Sequence, residues 1–414
     1  MEKRILFITA TFPPRAGSGV QRPFFQAELF SSLGVAVSVV TSSDMSTGVD
    51  STLAPKSLCA EEIHRLPRFA SRVGRLWDRA LRRIGIIAYP DSFVGWALRA
   101  WWRARRIVRT SSVQSVFVSM GSPSALLAAA MIKRSNPGIR FHIDVRDLWV
   151  GSELGVADYR RSALGDALNR RLERWSFLKA DSLSCVSPGM RDDLQGRYPE
   201  LAGRIHVVEN GYDEASFARA AGRAREPEKG VLVLRHLGTL IPTQRVVNFL
   251  EAVGELEREL PEWRNHAVVD FFGGSRGFLE GEVAAVGGLK TVRAFGYIGH
   301  DEALLRMMES DVLLLFWAPG ASTVGGKTYE YLRSERCILG FEQGNVDGPS
   351  LVRRMRRGLV VPIASKREIK DALRSLLDKK LAGAPLLSEP LEDVSEYSRD
   401  TQNRNLLAIV RGEV

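Results

Sequence analysis

Ser310 to Phe341 reads SDVLLLFWAPGASTVGGKTYEYLRSERCILGF, and the order of residue types in it decides the fold. Val312 to Trp317 is an apolar run of strand length. Pro319 and Gly320 break it, Gly325 and Gly326 open a segment of helix formers that lasts through Glu335, and Cys337-Ile338-Leu339 is a second short apolar run. The order is strand, loop, helix, strand. Because neither strand alternates polar with apolar residues, both are predicted to be buried on two faces, as in a parallel sheet covered by helices.

The loop carries the chemistry. Consecutive glycines ahead of a helix let backbone approach a ligand closely, and the first-turn N–H groups with the helix dipole favour an anion, most often a phosphate. Lys327 adds a point charge there, and the carboxylate of Glu330, one turn further in, can accept hydrogen bonds from a ribose diol. The pattern fits a nucleotide diphosphate, although a plain strand-to-helix turn has the same glycines.

Working outward, a chain of 414 residues suits two domains, and 45% hydrophobic with 26% charged residues describes an ordinary globular protein. No stretch approaches the ~18 apolar residues of a spanning helix. Met1 to Arg4 followed by ILFITA has no small-residue cleavage site before FPPR, so it reads as the first buried strand. Cys59, Cys185 and Cys337 are odd in number and far apart, which supports neither a disulfide framework nor a zinc site and makes the cytoplasm the expected compartment. With no Asp-x-Asp placed for a divalent ion and scattered histidines, neither metal nor cofactor is expected beyond a substrate nucleotide.

The net charge of +10 has an address: Arg65 to Arg109 holds twelve arginines against two acidic residues, which matches the whole excess. Val73, Leu76, Trp77, Ala80, Ile84 and Ile87 fall on one helical face with Arg72, Arg75, Arg79, Arg82 and Arg83 opposite. After Pro90, a second helix aligns Phe93, Trp96, Ala97, Ala100, Trp101, Ala104 and Val108 against Arg99, Arg103 and Arg106. The first helix is expected to rest on an anionic membrane and the second to pack into its own domain. A neutral protein with one basic face and no recognised motif is not a nucleic-acid coat.

Upstream, residues 5–10 and 35–41 read as parallel strands around a helix over 22–33. Gly17 and Gly19, in the loop at the carboxyl end of the first strand, free the chain to bend toward a ligand where open α/β sheets place their sites. Arg140 to Val145 is a strand that runs into the block Asp144-Val145-Arg146-Asp147-Leu148-Trp149. Charge at the end of a buried strand is unfavourable unless it faces a site. Asp144 and Asp147 are therefore candidates to bind or deprotonate an acceptor hydroxyl, and Arg146 to pair with them or with a phosphate; a structural ion pair is the alternative.

The blocks GGKTYEYLRSERCILG, Asp144 to Trp149, Pro90-Asp91 with Gly95-Trp96, and Asn210-Gly211-Tyr212-Asp213 occur in an order that resembles nucleotide-sugar glycosyltransferases of family 4. The resemblance implies an α/β chain of GT-B fold, two Rossmann-like domains with parallel sheets facing an interdomain cleft. The acceptor-side domain would span 1–208, the donor-binding domain 209–385, and a helix within 386–414 would cross back. It implies sugar transfer from a nucleotide-sugar donor with retention of anomeric configuration. In this family the glutamate matching Glu330 holds the ribose, the glycine loop matching Gly17 and Gly19 faces the cleft, and backbone near Tyr297 and Ile298 reads the base. The loop after Gly238 often supplies a basic residue to the diphosphate; Gln244 occupies the matching position, and Arg245, next to it, is the nominee. Ser322 stands where the family commonly has an earlier glutamate. The basic surface favours a lipid-linked acceptor for surface polysaccharide on the inner membrane face. A small-molecule acceptor, a GT-B epimerase and an inactive partner subunit are the alternatives.

Overall fold

The computed structural model describes residues 4–15, 18–45, 48–49, 53–68, 90–150, 163–319, 324–344, 346–388 and 390–414. Gly17, Ser322 and the first basic amphipathic segment lie outside the described residues. The chain divides into two compact units, Met1–Glu209 with Asp400–Val414, and Asn210–Arg399.

The first unit is built on a seven-stranded sheet of β1 (Arg4–Ile8), β2 (Ala36–Ser42), β3 (Ile63–Leu66), β4 (Val113–Met120), β5 (Arg140–Val145), β6 (Ser182–Cys185) and β7 (Ile205–Val207), in the order β3-β2-β1-β4-β5-β6-β7. Every pairing is parallel. Alternation along β1 explains the two-sided core. Leu6 and Ile8 join Val116, Val118, Phe141 and Ile143 on one face, while Ile5 and Phe7 join Phe30 and Phe117 on the other. Each such side chain, fully buried, contributes roughly 1.5–3 kcal/mol.

Helix Val94–Thr110 buries Trp96, Ala97, Ala100, Ala104 and Ile107, so the apolar stripe expected to pack does so. The chain returns to this unit at Asp400. Leu406, Leu407, Ile409 and Val410 of helix Arg399–Arg411 pack with Ile5, Phe7 and Val208, whereas Val394 and Tyr397, just before, belong to the core of the second unit.

The second unit has six strands, β8 (Leu232–Leu237), β9 (Ala267–Phe272), β10 (Val292–Phe295), β11 (Val312–Phe316), β12 (Cys337–Glu342) and β13 (Gly358–Pro362), in the order β10-β9-β8-β11-β12-β13. All are parallel. The opening stretch is β11, helix Gly326–Arg333 and β12. Val312, Leu314 and Phe316 face one core, and Leu313, Leu315 and Trp317 the other. In both sheets the strand order reverses beside the first strand of the unit, and crevices at carboxyl ends of strands form at such a switch point.

Candidate donor and acceptor sites

In the second unit the switch point lies between β8 and β11. β8 ends at Gly238, whose φ of +149° is open to glycine and strained for other residues. A Cβ at Gly238 would land on Lys327 Nζ, so the missing side chain is the space that the ammonium fills. Gly273, φ +152°, lets the end of β9 close on the Gly238 carbonyl in the same way. Tyr331 Oη accepts from the Leu237 backbone N at 2.9 Å and clamps helix Gly326–Arg333 against β8.

Two nitrogens in this corner, Lys327 Nζ and His236 Nε2, have no hydrogen-bond partner among the described residues. Lys327 is half-buried, and among the described residues its Nζ has no hydrogen-bond or ion-pair partner. Burial pushes its ammonium down to about 8, against the opposing pull of Glu330. His236 is 2% exposed, and its Nδ1 lies 2.9 Å from the Leu314 carbonyl. A carbonyl only accepts, so we assign the proton to Nδ1; the buried Nε2 lies beside the Gly238 backbone and meets no hydrogen-bond partner of good geometry among the described residues. Burial, and then the Lys327 charge, holds this imidazole neutral, with a pKa pushed down to about 3.

Gly325 and Gly326 start the helix with no side-chain cap, and a Cβ at either would meet nothing within 4 Å. Among the described residues, no contact demands glycine at those two positions. Asn210 Nδ2 donates to the Val324 carbonyl at 3.0 Å and anchors the residue before them. Glu330 is 9% exposed, yet Arg399 Nη2 at 3.7 Å and His300 Nε2 at 3.8 Å stand beyond hydrogen-bonding distance of its carboxylate.

The other donor-side residues scatter. Gln244 is a structural latch, accepting from Ile241 N at 2.9 Å and donating to the Phe316 carbonyl at 2.7 Å. Arg245, with φ +50°, is exposed and lines a separate cavity of about 550 Å³ with Pro319, Glu342 and Gln343. Tyr297 is 82% exposed, and Ile298 packs against the core.

In the first unit the carboxyl end of β5 is mostly satisfied. Asp144 is fully buried and accepts from Arg22 Nε at 2.9 Å, Arg22 Nη2 at 2.8 Å, Ser184 Oγ at 2.8 Å and Gln26 Nε2 at 3.2 Å. Burial would raise its pKa, but Arg22 and these hydrogen bonds hold it down at about 2. Arg22 also donates to the Val208 carbonyl at 2.9 Å and the Glu209 carbonyl at 3.2 Å. Asp147 is exposed, and Arg146 is half-buried with Nη1 donating to the Gly19 carbonyl at 2.6 Å.

Sequence reading missed Arg22, Gln26, His236 and the role of Asp91. The first two carried a usable signal, being one helical turn apart on one face. Asp91 accepts from Ser122 Oγ and Ser124 Oγ, both at 2.6 Å, and from Ser124 N at 3.0 Å, so it caps helix Pro123–Ser135. Among the described residues, no cluster of His, Cys, Asp or Glu is arranged to hold a metal ion.

Residues 26–216 match the family model described as Glycosyltransferase Family 4. No curated protein matches the sequence. Among solved structures, a glycosyltransferase from Rickettsia africae superposes with a TM-score of 0.66 at 14% identity, covering 99% of this chain and 98% of its own. Sucrose-phosphate synthase from Thermosynechococcus elongatus gives 0.63 at 15%, covering 100% and 97%. The Anabaena protein HepE, in complex with UDP, gives 0.61 at 13%, covering 100% of both chains. The two parallel-sheet units have the GT-B fold of these solved structures. Within that fold, residues 26–216 are similar to Glycosyltransferase Family 4.

Proposed function

We propose that the protein transfers a sugar from a nucleotide-sugar donor to an acceptor hydroxyl, with retention and without a metal ion. The observation that carries this reading is Lys327, a desolvated ammonium without a partner among the described residues, set over Gly238 at the uncapped start of a helix. A diphosphate supplies the missing anion, and the Glu330 carboxylate, whose ion pair with Arg399 is as long as 3.7 Å, can accept from the ribose. As the anomeric C–O bond to the diphosphate breaks, the bond to the acceptor oxygen forms, and the hydroxyl proton leaves with the nucleoside diphosphate. Lys327 and the helix N–H groups stabilise the developing charge. HepE was solved with UDP, which makes UDP the first probe. Titration calorimetry should show UDP binding that Lys327→Met weakens more than about tenfold; equal affinity for the two proteins would remove the donor site from this corner.

The acceptor in this proposal is a lipid-linked glycan for surface polysaccharide, met at the inner face of the membrane. On helix Val94–Thr110, Leu98 is 56% and Trp102 62% exposed, opposite the buried stripe. Arg105 lies 5.5 and 5.9 Å from the Trp101 and Trp102 ring centroids, with Arg106 and Arg109 exposed beside it. Aromatic residues among arginines suit the interface of an anionic bilayer. No described helix is long and apolar enough to cross one. The protein should sediment with anionic liposomes at low salt and much less with neutral ones; equal behaviour would end the membrane claim.

A further inference from the structure

On the glycosyltransferase reading above, we propose that Arg146 is the receptor for a phosphate group carried by the acceptor substrate. The carboxylates around it are already committed. Asp144 is filled by Arg22, Gln26 and Ser184, and Asp91 by the first turn of helix Pro123–Ser135. Arg22, whose like charge also acts on Arg146, is held by Asp144. Asp147 is exposed and attracts Arg146 through its charge, but no described carboxylate forms an ion pair with the guanidinium.

What remains, among the described residues, is a half-buried cation with one neutral hydrogen bond, Nη1 to the Gly19 carbonyl, and a buried Nε without a partner. The space around it is cut by glycines. A Cβ at Gly121 would lie 2.7 Å from Nη2, and one at Gly19 would lie 3.4 Å from it. A desolvated guanidinium lacking its anion is unfavourable until one arrives. Its planar fork is suited to two phosphate oxygens at once. The assignment to the acceptor follows from a division of labour: the second unit has its own cation over its own glycine, Lys327 over Gly238, for the donor.

Inorganic phosphate titrated into the full chain under saturating UDP tests this, because UDP occupies the Lys327 site. Wild type should bind phosphate. Arg146→Gln should weaken phosphate about tenfold or more while leaving UDP affinity unchanged, and Lys327→Met should do the reverse. Gly121→Ala, which keeps the charge but displaces the guanidinium, should also weaken phosphate and guards against a variant that fails to fold. Unchanged phosphate binding in Arg146→Gln overturns the assignment, as does an equal loss of UDP, which would give Arg146 to the donor pyrophosphate. Failure of Lys327→Met alone to affect UDP sinks the donor reading at Lys327 and leaves Arg146 as a phosphate receptor, whose assignment to the acceptor then stands or falls on what displaces the bound phosphate. Displacement of bound phosphate by glucose 6-phosphate identifies a soluble sugar phosphate, and displacement by vesicles doped with polyprenyl phosphate a lipid one. Displacement by neither overturns the acceptor assignment.

Discussion

Asp144 at the end of β5 and Glu330 in helix Gly326–Arg333 are both buried carboxylates near the carboxyl end of a parallel sheet, and their surroundings differ. Asp144 is saturated by partners between 2.8 and 3.2 Å, one of them an arginine that also ties down two backbone carbonyls. Glu330 has Arg399 and the His300 ring at 3.7 and 3.8 Å, and Lys327, one turn before it, has no partner among the described residues. A saturated buried charge holds the fold, because its removal strands its partner. An unsaturated one beside space kept open by glycine is poised for a ligand. The same test separates Arg22 from Arg146 within one sheet end.

The largest expected effect falls on the saturated side. Asp144→Ala leaves the Arg22 guanidinium buried and uncompensated and should lower stability by about 3–5 kcal/mol in urea denaturation, with UDP affinity of the folded protein unchanged. Because the pKa of Asp144 is lower folded than unfolded, its stabilisation is present above the unfolded value near ~4 and is lost as pH falls toward about 2. A loss of UDP affinity with no loss of stability would reverse the comparison.

Gly238→Ala should come next. Its Cβ falls on Lys327 Nζ at a positive φ, so UDP affinity should drop by about a hundredfold, the scale of a lost charge-assisted contact, together with a lower midpoint. Retained UDP binding in calorimetry would show that the ammonium can move aside at no loss. Glu330→Ala should raise the donor KM about tenfold, and unchanged donor kinetics would take this residue out of the site.

The smallest effect is a pH profile. With Lys327 near 8 in the free protein, UDP affinity should decline as pH rises above about 8 and should be flat in Lys327→Met. The sign for stability is opposite. The unfolded lysine binds its proton more tightly, so wild type should gain stability as pH rises from about 8 toward ~10.4, and Lys327→Met should not. A UDP profile that does not change between pH 7 and 9 in wild type would detach the ammonium from the diphosphate.

The β11, helix and β12 unit was legible residue by residue, because uninterrupted apolar strands and a glycine-led helix start are local patterns. The pairing of Lys327 with Gly238 was not. The two stand far apart in the chain, and the glycine is needed for a space that only the parallel packing of β8 against β11 creates. Asp144 shows the same limit from the other side: its burial was readable, but its partners come from residues 22, 26 and 184, which no periodicity links to it. The buried Nε2 of His236, beside Gly238, is visible only in the folded chain, because nothing in the sequence links this histidine to Lys327 or Leu314.

What the order of residues decided alone is the architecture, since apolar periodicity, helix starts and turn residues act over a few positions at a time. Tertiary structure decided which charges are satisfied. Whether a buried carboxylate or ammonium supports the fold or waits for a substrate depends on distances between side chains far apart in the chain, and those exist only after the sheet has formed.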